Sequence, residues 1–298
     1  MDNSHSFWGV LCALMVMVHL SSCGFGDKGN VSQANVKPGI VVVLNGTSSC
    51  GKTTIMNELI KDGGDYEVLS VDAFWGEYTK THPTKELDDL AKIAPTDKKI
   101  EEKLNKMAEE YIRGLTDGFD TKIRDEALKG KKVLVDTVMA DKWEFEKLVR
   151  ILGNVRSVTI LLYCPLDVTL ARLKQRSLAG DERDARLPID QYPRIYKPQE
   201  NASETVVDII AAPDIKALLK KTMDEYIKAL PEEEKSRSGV IAGVLEADYK
   251  KFVETFGLDT HEQVKVVPRL SYDLILDCKK SPKELANEIA DLIGKQNQ

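Results

Sequence analysis

Apolar positions along this chain fall into short unbroken runs separated by stretches with a helical period. Ile40-Val41-Val42-Val43-Leu44 reads as a buried strand. Glu67-Val68-Leu69-Ser70-Val71 predicts a second strand closing on Asp72, Val133-Leu134-Val135 a third ending in Asp136, and Val158 to Tyr163 a fourth. Leu274-Ile275-Leu276 predicts a last short one. Between them, Thr54 to Lys61, Lys142 to Leu152, Leu166 to Leu178 and Pro282 to Ile293 carry helical spacing. Asp97 starts a long amphipathic helix, with Ile100, Leu104, Met107, Tyr111 and Leu115 on one face. The helical pattern resumes to Leu128, and Gly130 stops it. Pro83 and Pro95 bracket a connecting region. Strands alternating with helices predict an α/β fold: a parallel sheet of about five strands, flanked by helices, with ligands at the strand C-terminal ends. From about Ile189 to Leu270 the alternation fails. That stretch is charged and predicts helices over Ile215 to Leu230 and Val240 to Phe256, read as a helical insertion packed on the main domain.

The strand at Ile40–Leu44 leads into Gly46-Thr47-Ser48-Ser49-Cys50-Gly51-Lys52-Thr53-Thr54, which fits the phosphate-loop pattern G-x-x-x-x-G-K-[ST]. In such a loop, successive backbone N–H groups and a helix N-terminus surround phosphate oxygens. Lys52 is placed to reach the β- and γ-phosphates, and Thr53 to offer its hydroxyl to Mg²⁺. Residues 46–54 are therefore the expected ATP-binding segment.

Two carboxylates follow from the strand ends. Asp72 is placed to take the proton from, or to orient, an attacking hydroxyl; the plainer reading is a turn or helix-cap carboxylate. Asp136 matches the acidic position that supports Mg²⁺; the plainer reading is a carboxylate that only caps the strand end. The residue after it is Thr137 rather than a glutamate able to polarise water, which favours transfer to an acceptor over hydrolysis. Arg172, Arg176, Arg183 and Arg186 lie on and just after the helix at 166–178. Arg172 and Arg176 share a face, and Gly180-Asp181 breaks the helix to form a lid. Arg176 and Arg183 are the expected stabilisers of the transferring phosphoryl group, and Arg172 a nucleotide contact. The alternative for this cluster, with Glu182 and Asp184, is a solvated charged face. Phe74, Trp75, Tyr78 and Trp143 could line an acceptor pocket or belong to the core.

Bulk properties narrow the class. The chain has 298 residues, 42% hydrophobic and 30% charged, and a formal net charge of -6. It is globular, and its acidic balance argues against nucleic acid or an anionic membrane surface as main partner. The five cysteines show no C-x-x-C spacing, so neither a zinc site nor a disulfide framework is indicated.

The N-terminus reads separately. Val10 to Leu20 is an apolar stretch of about eleven residues, short for a bilayer span but right for a signal segment. It ends in Leu20-Ser21-Ser22-Cys23, which resembles a bacterial lipoprotein cleavage site, with residues 24–37 as a tether and the folded domain from 38 to 298. This predicts export, or membrane anchoring through Cys23. Met1 to Trp8 has no Lys or Arg, so the other readings are an uncleaved anchor, or initiation at Met15 or Met17, with a cytoplasmic enzyme when the segment is no signal.

Several stretches together resemble the chloramphenicol phosphotransferase-like P-loop kinases. Val43-Leu44-Asn45-Gly46-Thr47-Ser48-Ser49-Cys50-Gly51-Lys52-Thr53 is similar to that family's L-N-G-x-S-S-A-G-K-[ST], with Cys50 in place of alanine. Residues 127–136, then Cys164-Pro165-Leu166-Asp167 through Arg183, then 272–277 with 281–286 resemble its third strand, its fourth strand with lid, and its last strand with helix. The resemblance implies an ATP- and Mg²⁺-dependent O-phosphotransferase acting on a hydroxyl of a small molecule, with Asp72 at the catalytic-base position. The insertion of about eighty residues and the N-terminal segment depart from the family, so the reaction type carries over and chloramphenicol as substrate does not. A zeta-toxin-like kinase of nucleotide sugars uses the same apparatus with another pocket. A membrane-tethered nucleotide-binding module without turnover is the third reading.

Overall fold

Ile40–Asn45 forms β1, and all six residues are buried. Its alternate side chains enter two different cores, which is what a strand covered on both faces requires. Val42 and Leu44 pack with Ile55, Met56 and Ile289, whereas Val41 and Val43 pack with Phe119, Ile123 and Leu148. The computed structural model describes residues 37–61, 63, 65–93, 97–139, 142–178, 186–229 and 238–295.

Four further strands join β1: β2 (Tyr66–Ser70), β3 (Lys132–Asp136), β4 (Arg156–Tyr163) and β8 (Leu274–Asp277). They form one parallel sheet in the order β2-β3-β1-β4-β8. Helices α1 (Lys52–Lys61) and α10 (Pro282–Lys295) cover one face, and α4 (Lys98–Leu128) with α5 (Lys142–Leu152) the other. This is the α/β fold of P-loop kinases.

The long helix α4 has 31 residues. Asp97 caps it, its Oδ1 accepting from the Lys99 and Ile100 amides at 2.9 and 3.4 Å. Leu104, Ala108, Leu115, Phe119 and Ile123 form its buried face. The connecting region between Pro83 and Pro95 contains more structure than expected: α3 (Lys85–Ile93) occupies it, and α2 (Val71–Thr81) precedes it. The second strand also stops earlier, at Ser70, so Asp72 lies in the first turn of α2 and not at a strand end.

The stretch from 189 to 270 is not wholly helical. With α7 (Arg186–Ile195), α8 (Ala212–Ala229) and α9 (Ser238–Phe256) it carries β5 (Tyr196–Pro198), β6 (Asp208–Ala211) and β7 (Gln263–Pro268), an antiparallel sheet in the order β5-β7-β6. The alternation in β7, with Val264 and Val266 buried and Gln263 and Lys265 exposed, is the strand signal that the surrounding charge conceals. Leu161 and Tyr163 of β4, with Leu166 and Leu170 of α6 (Leu166–Leu178), pack into one core with Tyr192, Tyr196, Phe252 and Phe256. Among the described residues no helix is long and apolar enough to cross a membrane. Val10 to Leu20 and Cys23 lie outside those residues.

Candidate active site

The loop after β1 turns through three unusual backbone positions, Gly46 (φ 154), Ser49 (φ 64) and Gly51 (φ 112). At Gly46 a Cβ would stand 2.7 Å from the Leu162 carbonyl, so glycine is required by contact as well as by φ. Lys52, at the start of α1, is buried. Its Nζ donates to the Gly46 and Thr47 carbonyls at 2.8 and 3.1 Å, so the ammonium spans the loop. It also lies 3.7 Å from Asp136 Oδ1. Thr53 Oγ1 donates to Asp136 Oδ2 at 3.0 Å.

Sheet register gathers the acidic residues at one edge. Asp136 pairs with Leu44 of β1 on one side and with Ser70 of β2 on the other. Two residues on from each partner come Gly46 and Asp72. The parallel arrangement thus brings Asp72, Asp136 and the phosphate loop to the same C-terminal end of the sheet. Asp72 is exposed, and among the described residues its carboxylate has no hydrogen-bond or ion-pair partner.

Across the loop from Asp136 stands α6. Arg172 Nη1 donates to the Cys50 carbonyl at 2.6 Å, and Arg176 Nη1 to Ser49 Oγ at 3.4 Å. Both guanidinium groups line a cavity of about 430 Å³, with Ser49, Cys50, Gly51 and Thr54 of the loop and Cys278 and Lys280 beyond β8. That volume lies in the usual range for a small-molecule site. Arg183 lies outside the described residues. Arg186 opens α7. Of the aromatic candidates, Trp75 is buried with Leu87, Leu104 and Leu115 and serves the core. Phe74 packs against Phe119 at 5.4 Å between centroids. Tyr78 stacks on His82 and meets Tyr111 edge-on, while Trp143 is 53% exposed.

The model of the family described as chloramphenicol phosphotransferase-like protein matches residues 39–200, which includes every described element of this site up to α7. The chain belongs to that family. It is a kinase, a phosphotransferase that binds nucleotide. No curated protein matches the chain at a significant level. Among solved structures, a sugar kinase from a Janibacter species is 13% identical, with 87% of this chain and 95% of that one covered and a TM-score of 0.41. The Mycobacterium tuberculosis APS kinase, solved with AMPPNP and APS, is 14% identical, covering 86% and 98%, TM-score 0.40. A gluconokinase from Sinorhizobium meliloti is 15% identical, covering 75% and 98%, TM-score 0.36. The fold assignment itself rests on the strand order and the phosphate loop.

One polar contact and one small network of this chloramphenicol phosphotransferase-like kinase were not foreseen from sequence. The Ser48 amide donates to Gln191 Oε1 at 2.7 Å, so α7 reaches the phosphate loop directly. Asn45 is buried, and its Oδ1 accepts from the Gly46 and Met139 amides at 2.9 and 2.8 Å. Its Nδ2 donates to the Met139 carbonyl and to the Tyr272 hydroxyl at 2.8 and 2.7 Å. Burial raises that hydroxyl to about 12, so it stays protonated. Asn45 therefore ties the loop to the segment after β3 and to the approach to β8. An asparagine before the first loop glycine is the only local signal for this network.

Proposed function

We propose that the protein transfers the γ-phosphoryl group of ATP, supplied with Mg²⁺, to a hydroxyl group of a small molecule. The observation that carries this reading is the convergence of Lys52, Thr53, Asp136 and Asp72 on one edge of the sheet, beside a cavity lined by Arg172 and Arg176. The loop amides and Lys52 bind the phosphates. Thr53 Oγ1 and the Asp136 carboxylate, 3.0 Å apart, form a hard-oxygen pair suited to Mg²⁺, which when bound neutralises phosphate charge. Arg172 contacts the nucleotide in the cavity. Arg176 and Arg183 donate to the equatorial oxygens as charge spreads over them.

Asp72 then accounts for the proton. The acceptor oxygen forms its bond to the γ-phosphorus while the bond to the β,γ-bridging oxygen breaks and ADP departs. The hydroxyl proton passes to the Asp72 carboxylate. An exposed carboxylate with no competing partner among the described residues suits that task.

The test incubates the full-length chain with ATP, Mg²⁺ and a pooled library of hydroxyl-bearing metabolites and antibiotics, read by mass spectrometry for one added phosphoryl group. Wild type is expected to give a product. Asp72→Asn is expected to lose about 10²- to 10⁴-fold in kcat while ATP binding is kept. Undiminished turnover by Asp72→Asn would remove the base from the mechanism. Nucleotide binding with no acceptor modified would leave only a binding module.

A further inference from the structure

Behind the phosphate loop, β4 and β8 run parallel with Tyr163 opposite Asp277. The next residues, Cys164 and Cys278, continue the ladder, because the Cys278 amide donates to the Tyr163 carbonyl at 2.9 Å. Residues at one register position share a face, and adjacent strands lie about 4.8 Å apart. A disulfide needs a Cα separation of about 4.4–6.8 Å, so this rung accommodates one. Both side chains belong to one buried cluster together with Cys50. Each of the two thiols is the strongest influence on the other's proton affinity.

Arg172 connects the pair to the loop. Its Nη1 lies 3.6 Å from Cys164 Sγ and 2.6 Å from the Cys50 carbonyl, and its Nη2 donates to the Cys278 carbonyl at 3.4 Å. Cys278 lines the cavity, whereas Cys164 is fully buried behind it. Arg172 therefore touches the sulfur of one cysteine and the backbone of the other while it also holds the phosphate loop.

We propose that Cys164 and Cys278 are an oxidisable dithiol, and that their disulfide weakens nucleotide binding through Arg172. The effect on nucleotide rests on the reading of the cavity as the ATP site; formation of the disulfide does not. The Cys164 thiol and the Arg172 charge hold the Cys278 thiol below its ordinary range, while its contact with Cys278 and burial push Cys164 up. Cys278, which lines the cavity where an oxidant can reach it, is the attacking sulfur, and the enclosed Cys164 the resolving one. With hydrogen peroxide as oxidant, the Cys278 thiolate attacks one oxygen, the O–O bond breaks, and the second oxygen leaves as hydroxide, which takes a proton to become water. Cys164 sulfur then attacks the resulting sulfenic sulfur, the S–O bond breaks, and that oxygen departs as water with the Cys164 proton. Two thiols and one peroxide give one disulfide and two waters. Closing the sulfurs to about 2.05 Å draws the turn after β8 towards β4. That movement shifts the cavity wall and the carbonyl on which Arg172 rests.

The test treats the reduced full-length protein with hydrogen peroxide, maps its peptides without reduction, and titrates a fluorescent ATP analogue before oxidation, after it, and after dithiothreitol. The expected result is a linked peptide pair containing Cys164 and Cys278, at least a tenfold loss of analogue affinity, and recovery on reduction. Saturating ATP with Mg²⁺ should slow the linkage at least tenfold, since it covers Cys278. In Cys164→Ala, Cys278 should stop at the sulfenic acid, trapped by dimedone. A wild-type map in which the two remain unlinked, or in which Cys50 is the partner, overturns the dithiol. Linkage with unchanged affinity overturns the control of binding. Reduced protein that binds no analogue overturns the nucleotide reading of the cavity, and the peptide map still decides the pair.

Discussion

Asp120 sits on the buried face of α4, where its carboxylate meets Lys147 Nζ at 3.1 Å, and Asp117 shares that ammonium. Burial outweighs the attraction of Lys147 and raises Asp120 from the ordinary 3.8 to about 6. Because the folded value is above the unfolded one, the native state holds the extra proton between about pH 4 and 6. Stability is therefore lost as pH rises through that window, by no more than about 3 kcal/mol. Urea midpoints at pH 4 and 6.5 should show a smaller fall in Asp120→Asn than in wild type; parallel slopes would contradict this. Single residues also show where the sequence is legible. Lys52, Thr53 and Asp136 could be read because a phosphate loop and a strand end are local patterns. Gln191 could not, since its partner Ser48 is 143 positions away and nothing near either residue announces the contact.

Elements were readable where a long period or an unbroken apolar run marked them. The helix α4 extends over 31 residues with a continuous apolar face, and its start was marked by Asp97. Asp97→Ala should destabilise the protein by about 1 kcal/mol, and Asp97→Asn by much less, when thermal unfolding of the two is compared with wild type. Strands β5 and β6 have three and four residues, too few for a period to emerge among charged neighbours. The start of α2 was hidden for another reason. β2 passes into it with no intervening loop, and Ser70 makes no side-chain cap, so no boundary residue marks the change.

At the scale of the molecule, the aromatic core of Tyr192, Tyr196, Phe252 and Phe256 is shared with β4, the strand that borders the phosphate loop strand. Phe252 is fully buried and its ring lies 4.8 Å from that of Phe256. Phe252→Ala should cost about 3–5 kcal/mol. It should also lower the stability of the whole chain in one transition, read by coincident fluorescence and circular dichroism unfolding curves. Two separated transitions would mean that the stretch after α6 unfolds independently. The sequence suggested association between the two parts, but it could not show that β4 supplies Leu161 and Tyr163 to the shared core, since both read equally well as strand core of the main sheet.

The small sheet has a consequence for how this chain can change over generations. β5 and β7 are neighbours, with Pro198 beside Val266, so the polypeptide leaves on its excursion through 199–262 and returns to the same place. Additions or losses within that detour leave the five-stranded sheet in register. Differences in length among descendants of a common ancestor should therefore collect between those two positions, and the intervening helices should vary most at the ends farthest from Tyr192. The register that sets Leu44, Asp136 and Ser70 side by side, by contrast, belongs to the sheet itself and should be inherited nearly intact.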